Sequence, residues 1–163
     1  MKLTPPEVFD ALREPAEGEL DPVFSPLGED RFALGLETIY EGYLVHYGLP
    51  RLHEPQNGAA ALVLGDYLYA LGLARIASLG DVAAVGDLAE LISLCAQAQA
   101  DGLPGDGAAW AATAALLGQG RLDEAREALS RRGDPGPLEG LARKSAGDEA
   151  VEQALAAHTR LLG

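Results

Sequence analysis

Two glutamates carry the clearest potential for chemistry in this sequence. Glu37 and Glu41 are four residues apart in a segment with helical periodicity, so their carboxylates share one face of a helix. Carboxylates at that spacing suit one Mg²⁺ ion, which takes one or two carboxylates together with phosphate oxygens and water. The alternative is a solvated helix face, because the chain has 25 acidic residues.

One further carboxylate stands alone among apolar residues. Asp66 is the one acidic residue in the stretch 59–74. Because an unpaired buried carboxylate costs several kcal/mol, we expect Asp66 to pair with Arg51, Arg75 or a helix N-terminus. The alternative is that Asp66 faces a cavity, and we expect any pocket to lie between the helices that carry Glu37 and Asp66.

The histidines and tyrosines permit more than one interpretation. The three histidines, at positions 46, 53 and 158, lack the spacing of a metal site. His46 is placed either to complement the dipole of a helix C-terminus or to contact a phosphate. All five tyrosines lie within 30 residues, and three of them recur on one helix face at positions 40, 43 and 47. This recurrence predicts a packed aromatic seam or an interface.

Composition indicates the fold class and excludes several functions. Ala and Leu make 57 of the 163 residues, while Val and Ile make 10, which favours helices over strands. The net charge of −13 repels nucleic-acid phosphates and anionic lipids, so we expect neither nucleic-acid binding nor membrane insertion. The sequence contains no signal-peptide core, and we expect a cytoplasmic protein. Its single cysteine, Cys95, is expected in the core.

Periodicity and capping signals divide the chain into helices. Thr4 and the prolines after it predict a helix over 5–13. Further helices are predicted over 29–47, 59–79, 81–100, 108–117, 122–131, 138–146 and 148–162. The helix over 59–79 is the most apolar, so we expect it at the centre of the bundle, with Gly65 and Gly72 allowing another helix to approach. The glycine-rich loop 101–107 predicts a boundary between a core (1–101) and a C-terminal helical hairpin region (102–163), which Trp110 anchors to the core.

The middle of the chain resembles a known family. Residues 48–53, GLPRLH, match a G-x-P-x-x-H motif, and residues 60–70, AALVLGDYLYA, match an L-x-G-D-Y-L-x-A element. This pair resembles the trans-isoprenyl diphosphate synthase (polyprenyl synthetase) superfamily, an all-α bundle that couples isopentenyl diphosphate to an allylic diphosphate. The resemblance covers roughly residues 30–100. It implies an isoprenoid-synthase-like half-bundle within an antiparallel bundle of six to eight helices.

The resemblance also implies a set of site residues. The metal-binding aspartates of the family correspond to Glu37 and Glu41, with Thr38 between them, and Mg²⁺ is the implied cofactor. The two arginines that grip the diphosphate in the family correspond to His46 and Tyr47. The implied diphosphate contacts are His46, Tyr47, Arg51, His53 and Asp66.

The departures from the family pattern favour a protein without catalysis. Ionising an allylic diphosphate needs several Mg²⁺ ions, and the sequence has no second aspartate-rich motif for the opposite wall of a site. We therefore expect an accessory or regulatory subunit of a full-length prenyl synthase, or an isoprenoid-diphosphate binder. One alternative is a ligand-free helical module that self-associates as a homodimer or acts as a scaffold. The other is a reduced Mg²⁺-dependent enzyme that acts on a prenyl diphosphate at Glu37 and Glu41.

Overall fold

The computed structural model describes residues 12–163, which contain seven α-helices and no strand. The helices are α1 (Ala33–Tyr47), α2 (Gly58–Ala77), α3 (Val82–Asp101), α4 (Asp106–Ala115), α5 (Asp123–Arg132), α6 (Gly136–Ala146) and α7 (Asp148–Leu162). Two short 3₁₀ turns, Ser25–Leu27 and Asp30–Phe32, precede α1. The all-α prediction is confirmed for this part of the chain. The helix predicted over 5–13 lies almost entirely outside the described residues.

Side-chain caps begin two of the helices at the predicted places. The Asn57 side chain accepts a hydrogen bond from the Ala60 amide at 2.8 Å and begins α2. The Asp81 side chain accepts one from the Ala84 amide at 2.9 Å and begins α3. These oxygens satisfy amides that have no partner within their own helix. Gly102 ends α3 with a φ of 64°, a left-handed conformation that glycine adopts without strain.

The apolar core continues across the boundary predicted after residue 101. Trp110 on α4 is fully buried, and its ring centroid lies 4.9 Å from that of Tyr40 on α1 and 5.7 Å from that of Phe24. The same cluster includes Cys95 on α3 and Val151 on α7. The C-terminal helices therefore share one core with α1.

Helices α1 and α2 pack closely because glycines face each other. A Cβ atom at Gly65 would overlap the ring of His46, and one at Gly42 would lie 2.9 Å from the Gly65 carbonyl oxygen. A Cβ atom at Gly72 would likewise overlap Ile39. The prediction that Gly65 and Gly72 allow a close helix approach is confirmed, and the contact leaves no pocket at these points.

Helix α2 is an outer helix, so its predicted place at the centre of the bundle is wrong. Only 28% of its most apolar 18 residues are buried, and Leu62 and Val63 are each 58% exposed. Asp66, which we expected to be buried and paired with an arginine, has a side chain that is 67% exposed. In the described part of the chain, α2 is also the one helix that is long and apolar enough to cross a membrane, by length and composition alone.

Candidate functional site

Four of the residues singled out from the sequence meet in one buried cluster on α1. We call Glu37, Glu41, Arg51 and His53 the glutamate–arginine cluster. The two glutamates are 4% and 0% exposed, so the alternative of a solvated helix face is wrong. They are buried because α1 lies beneath the two segments that flank it, residues 20–25 and 51–53.

Glu37 binds the amides at the beginning of a 3₁₀ turn. Its Oε1 accepts hydrogen bonds from the amides of Val23, Phe24 and Ser25 at 2.8–3.0 Å. Its Oε2 accepts one from Nη1 of Arg51 at 2.7 Å. A carboxylate suits this position because the first amides of a helical turn have no partner within the turn and carry a partial positive charge.

Glu41 is held by the loop that follows α1. Its Oε1 accepts hydrogen bonds from the Leu52 amide at 2.8 Å and the His53 amide at 3.2 Å. Its Oε2 accepts them from the amide and from Nε of Arg51, each at 3.1 Å. Burial opposes the ionisation of Glu41, but hydrogen bonds from His53 and these amides, together with the charge of Arg51, lower its pKa to about 2.

Arg51 and His53 extend the cluster to the segment before α1. The Arg51 guanidinium also donates to the carbonyl oxygens of Asp21 and Glu37, so its side chain is only 7% exposed. His53 lies 3.3 Å from Glu41 through Nδ1, and Nε2 donates to the Arg13 carbonyl oxygen at 2.8 Å. Burial lowers the pKa of His53, but the hydrogen bonds to Glu41 and to the Arg13 carbonyl, together with the charge of Glu41, raise it by more, so the net shift is upward.

This donor set does not suit magnesium. Each of the four carboxylate oxygens of Glu37 and Glu41 already accepts at least one hydrogen bond from an amide or from Arg51. A Mg²⁺ ion in near-octahedral geometry would need those oxygens and would have to displace the guanidinium. Nor do the described residues contain any group of three or more His, Cys, Asp or Glu side chains that could hold a metal ion.

The residues predicted to contact a diphosphate do not come together. Arg51 and His53 belong to the glutamate–arginine cluster, whereas His46, Tyr47 and Asp66 lie at the C-terminal end of α1 and on α2. His46 Nε2 is 3.4 Å from Asp66 Oδ1, but the contact lacks hydrogen-bond geometry and leaves this buried nitrogen without a hydrogen-bond partner. The predicted pairing of Asp66 with Arg75 is wrong, because Arg75 donates to Thr38 Oγ1 and to a backbone carbonyl.

A second buried cluster was not predicted from the sequence. We call Tyr40, Tyr43, Asp106 and His158 the histidine–tyrosine cluster. The Tyr40 hydroxyl lies 2.8 Å from His158 Nδ1, and His158 Nε2 lies 2.9 Å from Asp106 Oδ2. The same oxygen accepts a hydrogen bond from the Tyr43 hydroxyl at 2.7 Å. Ionised Asp106 makes Nε2 the donor, so Nδ1 accepts the proton of the Tyr40 hydroxyl.

Burial and hydrogen bonding set the charges of this cluster. Burial raises the pKa of Tyr40 and of Tyr43 well above the ordinary value, so both hydroxyls stay protonated. Burial also opposes the ionisation of Asp106, but the hydrogen bonds from His158 and Tyr43 lower its pKa. The cluster therefore contains one buried carboxylate whose charge is stabilised by hydrogen bonds from His158 and Tyr43. It ties α7 and α4 to α1.

A third feature is the outer face of α2, which consists of the residues that the helix leaves exposed. It runs along the whole helix and contains Ala59, Leu62, Val63, Asp66, Ala70, Ala74 and Ala77. Asp66 is its one charged residue. An apolar face of this kind on the surface of an acidic chain indicates an interaction surface.

The comparisons with known proteins add no further assignment. No protein-family model, no curated protein and no solved structure matches the chain. The two buried clusters and the outer face of α2 therefore carry the functional argument.

Proposed function

We propose that this chain is a non-catalytic helical module that self-associates through the outer face of α2. The observation that carries the proposal is the exposure of Leu62 and Val63, each 58% exposed on the most apolar helix of the chain. Burying such side chains against another surface is favourable by roughly 25 cal/mol per Å² of apolar area. Asp66 is the one charged residue of the face, so the two Asp66 carboxylates of a dimer oppose its pairing directly, while the rest of the net charge of −13 opposes it from a distance.

The pattern of the face supports a second copy of the chain as the occupant. Six of its seven exposed positions are symmetric about Leu68, since 59 and 77, 62 and 74, and 66 and 70 lie equally far from it. Val63 is the exception. In a two-fold symmetric dimer the same patch lies on both subunits. Two antiparallel α2 helices would then place Leu62 of each copy opposite Ala74 of the other. A large side chain would meet a small one, which favours close packing.

The non-catalytic part of the proposal rests on the glutamate–arginine cluster. Both glutamates are neutralised by Arg51 and by backbone amides, so neither is free to act as a metal ligand or a base. Their hydrogen bonds hold the segments before and after α1 against that helix. We infer that these residues serve structure, while the chain acts through its surface.

A role beside a prenyl synthase is the second candidate. It is supported by the contacts that the two segments carrying the resemblance make with α1. Gly65 lies against His46, and the backbone amides of residues 51–53 bind Glu41. This unit keeps the residues of a synthase-like scaffold while its carboxylates are occupied. Mixing the chain with a full-length prenyl synthase tests this candidate. A change in the rate or in the product length of the synthase would support it, and no change would reject it.

Sedimentation velocity over a range of concentrations tests the self-association. We expect dimers of the unsubstituted chain at high micromolar concentration, and a dissociation constant at least about tenfold weaker for Leu62→Glu, equivalent to about 1.4 kcal/mol. Leu103→Glu is the matched control, because Leu103 is 44% exposed and lies outside α2. A monomer at every concentration, or equal weakening by both substitutions, would reject the proposal.

A further inference from the structure

The basic residues of this acidic chain fall into two groups, those that form ion pairs with carboxylates and those that do not. Six arginines of the described residues contact carboxylates: Arg13, Arg31, Arg51, Arg126, Arg131 and Arg143. Five basic residues form no ion pair with a carboxylate of the described chain: Arg75, Arg121, Arg132, Lys144 and Arg160. Three of them, Arg121, Arg132 and Lys144, line one groove. In a chain with 25 acidic and 12 basic residues, three unpaired cations at one place need an explanation.

The groove lies between α5 and α6 and has a volume of about 470 Å³. Residues of α5 line it at helical spacing from Glu124 to Arg132, and residues of α6 line it from Pro137 to Lys144. Its floor is apolar, with Ala128 and Leu141, and its one lining carboxylate within the described chain is Glu124. The groove thus combines an apolar floor with cationic edges.

The spacing of the cations selects the class of ligand. Arg121 lies two residues before α5 and Arg132 is its last residue. The ten residues of the helix, at a rise of 1.5 Å each, make it roughly 15 Å long. A single phosphate group is too small to bridge that distance. An extended peptide advances about 3.3 Å per residue, so about five residues would cover it.

We propose that the α5–α6 groove binds an acidic peptide segment of a partner protein. Carboxylates about four or five residues apart contact Arg121 and Arg132, and small apolar side chains between them lie on the floor. Lys144 supplies a further cation to the segment. At physiological ionic strength charges are screened over about 8 Å, so the local cations outweigh the repulsion from distant carboxylates.

Fluorescence anisotropy with the full chain tests this proposal. The probe is a fluorescein-labelled octapeptide of alternating Glu and Ala, measured at physiological salt. The double variant Arg121→Gln/Arg132→Gln is expected to weaken binding about tenfold, because it removes two of the cations that contact the carboxylates of the peptide. The matched control is Arg131→Gln/Arg160→Gln, which removes the same charge at two arginines that do not line this groove.

The control should weaken binding less than twofold. Three outcomes would overturn the proposal: no binding of the peptide, equal weakening by the two double variants, or displacement of the peptide by equimolar inorganic pyrophosphate. The last outcome would identify a site for small anions. Leu62→Glu should leave peptide binding unchanged, because the α2 face and this groove are separate surfaces, so the two proposals can fail independently.

Discussion

Helix α1 carries two buried polar clusters that are held together in different ways. The glutamate–arginine cluster is ionic, with one guanidinium between two carboxylates, and its members lie 10 to 14 residues apart. The histidine–tyrosine cluster has one carboxylate, and its hydrogen bonds join residues 52 to 118 positions apart. The first cluster therefore fixes the neighbouring segments to α1, while the second fixes the distant helices α4 and α7.

The difference determines what each cluster loses when a partner is removed. Without Arg51, Glu37 stays buried without a compensating charge, and Glu41 keeps only His53 and the backbone amides. In the second cluster, removing the Tyr40 hydroxyl leaves His158 Nδ1 without its hydrogen-bond donor. Removing the Tyr43 hydroxyl takes away one of the donors to Asp106. Tyr40 joins the two regions, because its ring centroid lies 5.1 Å from the Arg51 guanidinium and its hydroxyl contacts His158. The comparison predicts unequal effects of substitutions that look similar in size.

The largest effect is expected from Arg51→Ala. Removing one partner of a buried ion pair destabilises a protein by about 3–5 kcal/mol, because the remaining charge has no compensation. Both Glu37 and Glu41 would be affected. The free energy of unfolding from urea denaturation, followed by circular dichroism, measures the effect.

Arg75→Ala is the matched control for this prediction. Arg75 is also partly buried, but it donates to Thr38 Oγ1 and to the Pro15 carbonyl oxygen, so its loss leaves no buried carboxylate. We expect a cost of about 1 kcal/mol for lost hydrogen bonds. Equal costs for the two variants would show that Arg51 does not compensate the glutamates.

The second effect is an acid-dependent loss of stability centred on Glu41. Its pKa falls from 4.5 to about 2 on folding, and a depressed pKa stabilises the folded state above the unfolded value. This contribution of about 3 kcal/mol, at 1.36 kcal/mol per unit, is present above about pH 4.5 and is lost as the pH falls towards about 2. Unfolding free energies measured across this range test it.

Glu41→Gln and Asp106→Asn compare the two clusters in this experiment. Both carboxylates have lowered pKa values, so each contributes to acid sensitivity. We expect Glu41→Gln to flatten the pH dependence more, because Glu41 binds a guanidinium while Asp106 is held by His158 and Tyr43. If the unfolding free energy of Glu41→Gln depended more steeply on pH than that of Asp106→Asn, this expected order of the two variants would be wrong.

A smaller effect is expected from Tyr40→Phe in the histidine–tyrosine cluster. The substitution keeps the ring and removes the hydroxyl that contacts His158 Nδ1, which leaves a buried acceptor without a partner. The expected loss in the free energy of unfolding is about 1–3 kcal/mol. It lies at the lower end of this range because the substitution leaves no buried charge without a partner. Tyr67→Phe is the control, because its hydroxyl contacts Glu14 at the surface, and a loss as large as that of Tyr40→Phe would refute the assignment.

The sequence predicted the members of one cluster and missed the other for a physical reason. Glu37, Glu41, Arg51 and His53 lie within 17 residues, so helical spacing and motif matching could select them together. Their role was not predictable, because the sequence does not show that Arg51 folds back between the two glutamates. His158 pairs with a tyrosine 118 residues away, and no local pattern carries that information.

The same limit explains the prediction for α2. The apolar stretch 59–74 predicts a helix that is buried on all sides, and this prediction in turn implies a buried partner for Asp66. Burial depends on which face the neighbouring helix covers. Helix α1 packs on the Gly65 and Gly72 face through its own Gly42 and Gly35. Within residues 12–163 the predicted helices and the caps Asn57 and Asp81 are confirmed, because they depend on adjacent residues, whereas the position of a helix in the bundle depends on distant ones.

The smallest effect is expected from Mg²⁺. Thermal unfolding and calorimetric titration with farnesyl diphosphate, with and without Mg²⁺, should show no magnesium-dependent change in the unsubstituted chain, because Arg51 occupies the Glu37 and Glu41 oxygens. Arg51→Ala removes the guanidinium and frees Oε2 of Glu37, while Oε2 of Glu41 keeps the backbone amide of residue 51, so Mg²⁺ at its Kd should restore about 0.4 kcal/mol to that variant alone. A magnesium-dependent shift in the unsubstituted chain would instead mean that the ion displaces the guanidinium. The glutamate–arginine cluster would then be a metal site that an internal cation closes, and the contrast with the histidine–tyrosine cluster would be one of function as well as of construction.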